Sequence, residues 1–166
     1  MAFVTTFRNK DGSFSKAYNV DFSVGAAAAN HPIDVMLVQA LLRIVCYELQ
    51  GTDKLTPPPG EVGIAVDGQF GPRTLKHILR QQQQMKAAGI ATLVDGVHDP
   101  FRAQQQKSTI AKVRYGLEVL NDTCFVLCRR QGLESYDSLP RRSDVPEALR
   151  VALSLPERAI ARKYQR

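Results

Sequence analysis

One nine-residue stretch organises the chain: Val66-Asp67-Gly68-Gln69-Phe70-Gly71-Pro72-Arg73-Thr74. Asp67-Gly68 is typical of a turn, because aspartate bonds nearby backbone and glycine accepts a positive φ. Phe70 is a large apolar residue in a polar loop, so we expect its ring to point inward as an anchor. Gly71-Pro72 predicts a helix start, since proline suits a position where no N–H is needed. The stretch therefore predicts a loop pinned between two helices by one buried ring.

Apolar residues recur at helical spacing on both sides of this stretch. The clearest helix is predicted to begin near Pro32, with Asn30 or His31 as its cap, and to end at Gly51. A second helix is predicted to run from residue 72 to about residue 88. The apolar positions are Val35, Val38, Leu41, Leu42, Val45 and Leu49 in the first helix, and Leu75, Ile78, Leu79 and Met85 in the second.

More helices are predicted towards the C-terminus. A third begins at Ser108 or Thr109 and ends at Gly132. Asp144-Val145-Pro146-Glu147 combines a capping acid, an early proline and a following glutamate, which predicts a short helix. Pro156 begins another, whose last cations suit the negative end of a helix. The third helix carries an apolar stripe at Ile110, Val113, Leu117, Leu120, Cys124 and Leu127, and the last helix ends in Arg162, Lys163 and Arg166.

The N-terminal segment predicts a β-hairpin. Apolar and polar residues alternate weakly over residues 3–22, around the turn signal Asn9-Lys10-Asp11-Gly12. An isolated hairpin is only marginally stable in water. We therefore expect this one to pack on the helices, or alternatively to serve as a docking strand for a partner.

The composition indicates a folded domain. Hydrophobic residues make up 44% of the 166 residues, which is enough for a core. There is no tryptophan, so a glycan-binding surface would depend on hydrogen bonds more than on stacked rings. The net charge is +6, and nine basic against five acidic residues lie between Arg129 and Arg166. This tail predicts a solvated helical surface, or one that attracts anions; without a recognised motif, nucleic acid is not the expected partner.

Cysteine count and hydropathy bear on the cellular compartment. Three cysteines argue against a disulfide framework, which normally uses an even number. The N-terminus lacks the apolar core of a signal peptide, and no apolar run approaches the ~18 residues of a transmembrane helix. We expect synthesis in a reducing cytoplasm without membrane insertion. An extracellular ligand would then require phage lysis or a non-classical export route.

No constellation of reactive groups predicts catalysis, a metal or a cofactor. The sequence has no nucleophile elbow, phosphate loop or His-Glu-x-x-His helix. His98 with Asp99 does not supply the three ligands of a zinc hydrolase. Cys124 and Cys128 share a helix face and indicate packing rather than metal binding, and Cys46 is expected in the core. The loop acids show no pair held at the fixed separation of a glycosidase.

The motif Asp-Gly-x-Phe-Gly-Pro-x-Thr at residues 67–74 resembles the signature of the peptidoglycan-binding domain family. These are small helical cell-wall modules attached to many hydrolases. Residues 34–42 resemble the family's Val-Gln-x-Leu-Leu helix, and residues 24–34 its lead-in. A second element, Leu93-Val94-Asp95-Gly96-Val97-His98-Asp99-Pro100, resembles that of an extended subgroup. The resemblance covers residues 24 to about 120.

One departure from the family lies near the end of the second helix. The family has a Phe-Gln pair where this chain has Gln81 and Gln82, inside a run of four glutamines at residues 81–84. A buried ring is missing there, so the floor of the family's groove is expected to be reshaped. The four glutamines predict helix filler, or alternatively a polar binding face. Phe101 is expected to anchor the second element as Phe70 anchors the first.

The resemblance implies a mainly α fold. We predict a small three-helix peptidoglycan-binding-like bundle at residues 24–132. An N-terminal β-hairpin extension occupies residues 1–23, and a basic C-terminal extension with extra helices occupies residues 133–166.

The resemblance also implies a non-catalytic module that binds peptidoglycan or a related polymer in a shallow groove beside the Asp-Gly loop. Its candidate contacts are Asp67, Gln69 and Arg73. Arg73 could pair with a peptide-stem carboxylate, and Asp67 or Gln69 could bond amide or sugar groups. A second set of motif residues is expected to shape the loops: Gly68, Phe70, Gly71, Thr74, Asp95 and Gly96.

An alternative function is a protein-interaction or assembly component of a phage or secretion system that reuses the fold. The hairpin, the missing phenylalanine, the basic C-terminal helices and the absence of a signal peptide motivate it.

Overall fold

The fold is built around α1, a helix spanning Pro32–Arg43 that is apolar on nearly every side. A helix of that kind belongs in an interior. The structure is a computed structural model that describes residues 1–8, 11–102, 107–108 and 111–159. In this part of the chain α1 contacts α2 (Pro72–Ala87), α3 (Gly116–Arg130) and α4 (Glu147–Ser154). All six apolar positions predicted for the first helix are buried.

The described residues also form five short strands: β1 (Phe3–Arg8), β2 (Phe14–Asn19), β3 (Val24–Gly25), β4 (Val97–His98) and β5 (Arg158–Ala159). One sheet has the order β2-β1-β5, and β3 pairs with β4 in the other. The predicted mainly α class is confirmed. None of the helices in the described ranges combines the length and the apolar character needed to cross a membrane.

The predicted N-terminal hairpin is confirmed. β1 and β2 pair antiparallel, with Phe3 opposite Asn19 and Arg8 opposite Phe14. The turn residues 9 and 10 lie outside the described residues. Val4 and Tyr18 of the hairpin belong to the same hydrophobic cluster as α1, α3 and α4. The predicted domain boundaries stay predictions, but one continuous core runs through all three segments.

The first helix does not continue regularly to Gly51 as predicted. The α-helix ends at Arg43, and a π-helical turn follows over Ile44–Glu48, closed by a bond from the Leu49 N–H to the Ile44 carbonyl. At the other end, His31 occupies the capping position without a side-chain bond. Asn30 is not the cap, because its side chain bonds the backbone of Gly25 and Ala28.

The second helix matches its prediction to within a residue, whereas the third begins later than predicted. α3 begins at Gly116, because the segment before it folds back on itself. Ser108 N–H donates to the Val113 carbonyl, and Lys112 adopts a left-handed φ of 56°. The stripe members Leu117, Leu120 and Cys124 are buried, whereas Val113 precedes the helix. Thr109 and Ile110 lie outside the described residues.

The C-terminal segment forms α4 as predicted. The prediction of a further helix from Pro156 is wrong over its first residues, where a strand forms instead. Arg158 and Ala159 pair in parallel with Thr5 and Thr6 of β1. The free edge of β1 offers unpaired backbone groups, which favour an added strand. The Arg158 guanidinium lies 4.4 Å from the centroid of the Phe3 ring and 2.7 Å from Asp21 Oδ1, which fixes the strand there. Residues 160–166, with the predicted terminal cations, lie outside the described residues.

Asn121 of α3 links the hairpin to the helices. Its Oδ1 accepts bonds from the Tyr18 N–H at 2.9 Å and the Tyr136 hydroxyl at 2.8 Å. Its Nδ2 donates to the carbonyls of Tyr18 and Leu117, both at 2.9 Å. Asn121 is 3% exposed, so loss of its amide would leave several buried polar groups unpaired.

We predict that Asn121→Ala lowers the free energy of unfolding by about 3 kcal/mol. Urea denaturation followed by circular dichroism measures the change. Gln83→Ala, which removes an exposed amide from α2, is the control and should change stability by less than about 0.5 kcal/mol. Equal stability of the two variants would show that Asn121 does not hold the hairpin.

Candidate functional site

The first Asp-Gly loop, residues 66–71, is held by the buried side chain of Gln39. Gln39 Oε1 accepts bonds from the backbone N–H groups of Asp67 and Gly68, both at 3.0 Å. Gln39 Nε2 donates to Asp67 Oδ1 at 2.9 Å and to the Gln69 carbonyl at 3.1 Å. Asp67 Oδ1 also accepts from the Gln69 N–H at 2.9 Å. One amide from α1 therefore satisfies the backbone of a whole turn.

The second Asp-Gly loop, residues 94–98, is held in the same way by Gln82 of α2. Gln82 Oε1 accepts from the N–H groups of Asp95 and Gly96, at 3.2 and 2.9 Å. Gln82 Nε2 donates to Asp95 Oδ1 at 3.1 Å and to the Val97 carbonyl at 2.9 Å. Asp95 Oδ1 accepts from the Val97 N–H at 3.0 Å. The two loops therefore have the same pattern of hydrogen bonds between a helix glutamine, an aspartate and the turn backbone.

The glycine contacts repeat with the same spacing. A Cβ on Gly68 would lie 2.9 Å from the Pro32 carbonyl and 3.0 Å from Met36, seven and three residues before Gln39. A Cβ on Gly96 would lie 2.7 Å from Leu75 and 3.4 Å from Leu79, which are seven and three residues before Gln82. Both glycines have a positive φ, of 76° and 73°. The positive φ therefore favours glycine in both loops, and at Gly68 a side chain would also clash with the Pro32 carbonyl of the preceding helix.

The predicted ligand contacts lie together at the junction of the first loop and α2. Asp67 and Gln69 are exposed, and one oxygen of Asp67 is committed to the loop. Within the described ranges, the Gln69 side chain makes no hydrogen bond to the rest of the chain. The Arg73 side chain is 63% exposed, and its Nε lies 2.8 Å from Glu61 Oε2.

Only some of the residues predicted to shape the loops lie where they were expected. Phe70 packs against the hydrophobic core but is only half-buried, so it anchors the loop incompletely. Thr74 is buried and its hydroxyl accepts a bond from Gln39 Nε2 at 3.2 Å. Gly71 occupies the capping position of α2 in extended conformation. Phe101 is buried and stacks on Phe7 of the hairpin, with 5.9 Å between ring centroids.

A second polar cluster lies behind Arg73. His77 Nδ1 is 2.8 Å from the Arg73 carbonyl, and His77 Nε2 is 2.8 Å from the Tyr47 hydroxyl. Because a carbonyl only accepts, Nδ1 carries the proton and Nε2 accepts from Tyr47. Burial lowers the pKa of His77. The π-helical turn at the end of α1 carries Tyr47, so the irregularity of that helix supports the cluster.

The start of α2 is electrostatically suited to anions. It has no side-chain cap and no acidic residue in its first turn, so its unpaired N–H groups are not neutralised there. The aligned peptide dipoles of a 16-residue helix make its N-terminus positive. Arg73 adds a charge in the same turn, opposed by the single carboxylate of Glu61.

A cleft of about 110 Å³ opens beside the second loop. Asp95, Asp99 and Arg114 are among the residues that line it. The Arg114 guanidinium is committed to two carboxylates, at 2.7 Å from Glu118 and 2.6 Å from Asp122. The cleft is therefore lined by the carboxylates of Asp95 and Asp99 and by an arginine that is already paired.

The sequence does not indicate that the polar residues His98 and Gln81 are buried. His98 is completely buried, and neither of its ring nitrogens has a partner among the described residues. A Cβ on Gly116 would lie 2.8 Å from His98 Nδ1, so the first residue of α3 must be small. Gln81 and Gln82 are both 1% exposed, so the prediction that the glutamine run is helix filler is wrong for these two.

The cysteines pack in the core, as predicted for Cys46. All three are free thiols and buried. Burial raises the pKa of Cys46 to about 12. The same effect raises the pKa values of Cys124 and Cys128.

Sequence reasoning missed Gln39 and Gln82, which hold the two loops, and it missed the residues that surround Arg73: Glu61, Tyr47 and His77. A signal for Gln39 and Gln82 was present, because both lie in segments that resemble the family's helix motifs. Comparison of the chain with protein-family models, with curated proteins and with solved structures found no match. The resemblance to peptidoglycan-binding domains therefore depends on the sequence motifs alone.

We predict that Gln39→Ala and Gln82→Ala each lower the free energy of unfolding by about 3 kcal/mol, because each leaves two loop N–H groups without a partner. Chemical denaturation measures both. Gln83→Ala is the matched control, since it removes an exposed amide one residue from Gln82 and should cost less than about 0.5 kcal/mol. If Gln82→Ala behaves like the control, the hydrogen bonds from Gln82 to the second loop contribute nothing to stability.

His98 generates a prediction about pH. Burial lowers its pKa to about 4, against about 6.5 in an unfolded chain. Between these values the unfolded chain binds more protons, so the free energy of unfolding falls as pH drops from about 6.5 to about 4. The loss attributable to His98 is about 3 kcal/mol. Thermal unfolding of wild type and His98→Leu across this range measures it; parallel pH profiles for the two proteins would contradict the assignment.

Proposed function

We propose that the chain is a non-catalytic binding module of the peptidoglycan-binding type, which recognises peptidoglycan or a related polymer. One observation carries the proposal: Gln69 is exposed on a loop whose backbone is fixed by the buried amide of Gln39, and Arg73 is exposed in the helical turn that follows this loop. The arrangement of α1, the first loop and α2 supports the family's three-helix bundle as part of the same proposal.

A fixed loop favours binding, because less conformational freedom is lost when a ligand is held. The carbonyl of Gln69 is bonded by Gln39, and its N–H is bonded by Asp67. Arg73 lies in the first turn of α2, two residues after Gly71. Both polar side chains therefore project from backbone that is already ordered.

The chemistry of these side chains suits a peptide-bearing polymer. The Gln69 amide both donates and accepts, Arg73 offers a planar set of donors, and Asp67 keeps an exposed carboxylate. Amides, hydroxyls and carboxylates are the polar groups of peptidoglycan. Because the chain has no tryptophan, recognition would depend on hydrogen bonds and charge rather than on ring stacking. Contact with sacculi would follow phage lysis or non-classical export.

The alternative proposal is an assembly component of a phage or secretion system. It shares the fold but predicts a protein partner in place of the polymer. The apolar residues Val4 and Tyr18 of the hairpin lie in the core, so a docking surface would have to use other residues.

Purified sacculi test the proposed function. We predict that wild-type protein co-sediments with sacculi and that Gln69→Ala combined with Arg73→Ala reduces the bound fraction at least fivefold, because the two exposed polar contacts are removed. The measurement is the fraction of protein pelleted, with circular dichroism to show that the variant folds.

Gln83→Ala combined with Lys86→Ala is the matched control, because it removes the same kinds of exposed group from the far end of α2. The control should pellet like wild type. Wild-type protein that stays in the supernatant would contradict polymer binding and favour the assembly role.

A further inference from the structure

Arg73 is held in place by a carboxylate that is itself largely buried. The Nε of Arg73 lies 2.8 Å from Glu61 Oε2, and the Glu61 side chain is only 15% exposed against 63% for Arg73. An exposed arginine normally samples many rotamers, and ordering it costs free energy. The buried partner orders the guanidinium before any ligand arrives.

The backbone of Arg73 is ordered as well. Its carbonyl accepts a bond from His77, which in turn accepts one from Tyr47. Burial lowers the pKa of His77, so its ring is neutral at pH 7 and adds no second positive charge behind Arg73. Glu61 therefore holds the guanidinium of Arg73, and His77 with Tyr47 holds its backbone carbonyl.

The remaining donors of Arg73 define what it can bind. A guanidinium carries five N–H donors in one plane, and the Nε side faces Glu61. Among the described residues, no other carboxylate forms an ion pair with Arg73. Planar guanidinium donors match the two oxygens of a carboxylate in a bidentate pair. Because the Glu61 carboxylate lies beside Arg73, it repels a singly charged anion less than a doubly charged one such as phosphate.

We propose that the ligand group recognised at Arg73 is a free carboxylate, such as the one that ends a peptide stem, rather than an amide or a sugar hydroxyl. The inference rests on the proposed binding function of the first Asp-Gly loop and specifies its ligand chemistry. Gln69, four residues earlier, supplies the amide contact beside it.

Sacculi with blocked carboxyl groups test this inference. Treatment with a carbodiimide and methylamine converts free carboxylates to methylamides and leaves the sugar chains in place. We expect the fraction of wild-type protein that pellets to fall at least fivefold on the treated sacculi. Arg73→Lys keeps the charge but loses the planar fork, so it should bind untreated sacculi as weakly as wild type binds treated ones. Lys86→Ala should behave like wild type throughout.

A soluble probe makes the inference independent of the polymer. N-acetyl-alanyl-alanine with a free C-terminal carboxylate is compared with the same dipeptide as its amide, by NMR titration of the backbone signals of residues 69–74. We expect shifts with the free acid that are lost in Arg73→Lys and are absent with the amide.

The possible outcomes separate the two proposals. Equal retention on treated and untreated sacculi would overturn the carboxylate inference and leave polymer binding intact. No retention on either would overturn polymer binding, and the dipeptide titration would then decide the inference alone. A titration in which free acid and amide give the same shifts, or in which Arg73→Lys changes nothing, overturns it.

Discussion

The structure depends on one recurring interaction, a buried glutamine amide that bonds the backbone of an Asp-Gly turn. A tight turn with a positive φ points its N–H groups in one direction, and these groups cannot pair within a helix or a sheet. Gln39 and Gln82 supply the acceptor for them and the donor for the turn carbonyl. A side chain from a regular helix thus gives a loop the order that regular structure would otherwise provide.

The repetition of this interaction makes α2 the link between the two loops. Its first turn continues from the first loop and carries Arg73, and its later part carries Gln82, which holds the second loop. Both loops expose an aspartate, but the arginines beside them differ: Arg73 is paired with one carboxylate, whereas Arg114 is paired with two. The two loops therefore share a backbone arrangement but differ in the side chains exposed beside it. Those side chains determine what each surface can bind.

Sequence reasoning was most successful where periodicity and turn chemistry agree. The buried face of α1, the extent of α2, the hairpin and α4 followed from local patterns. It failed where long-range contacts outweigh local preference: β5 forms because β1 has a free edge, and α3 starts late because Ser108 and Lys112 close a turn before it. Local pattern alone could not single out Gln39 and Gln82, because a glutamine in a helix has the same local signature whether it is exposed or buried. Their places in the family-like segments were the only signal.

The parallel pairing of β1 with β5 has a mechanical consequence. Because Thr5 and Thr6 run alongside Arg158 and Ala159 in the same direction, tension between the segment before β1 and the segment after β5 would load their hydrogen bonds in shear. Bonds loaded in shear must break together, whereas bonds that are peeled apart break one at a time. The Arg158–Asp21 ion pair lies beside this contact and would share the load. The fold would thus resist pulling along the strands more than pulling across them.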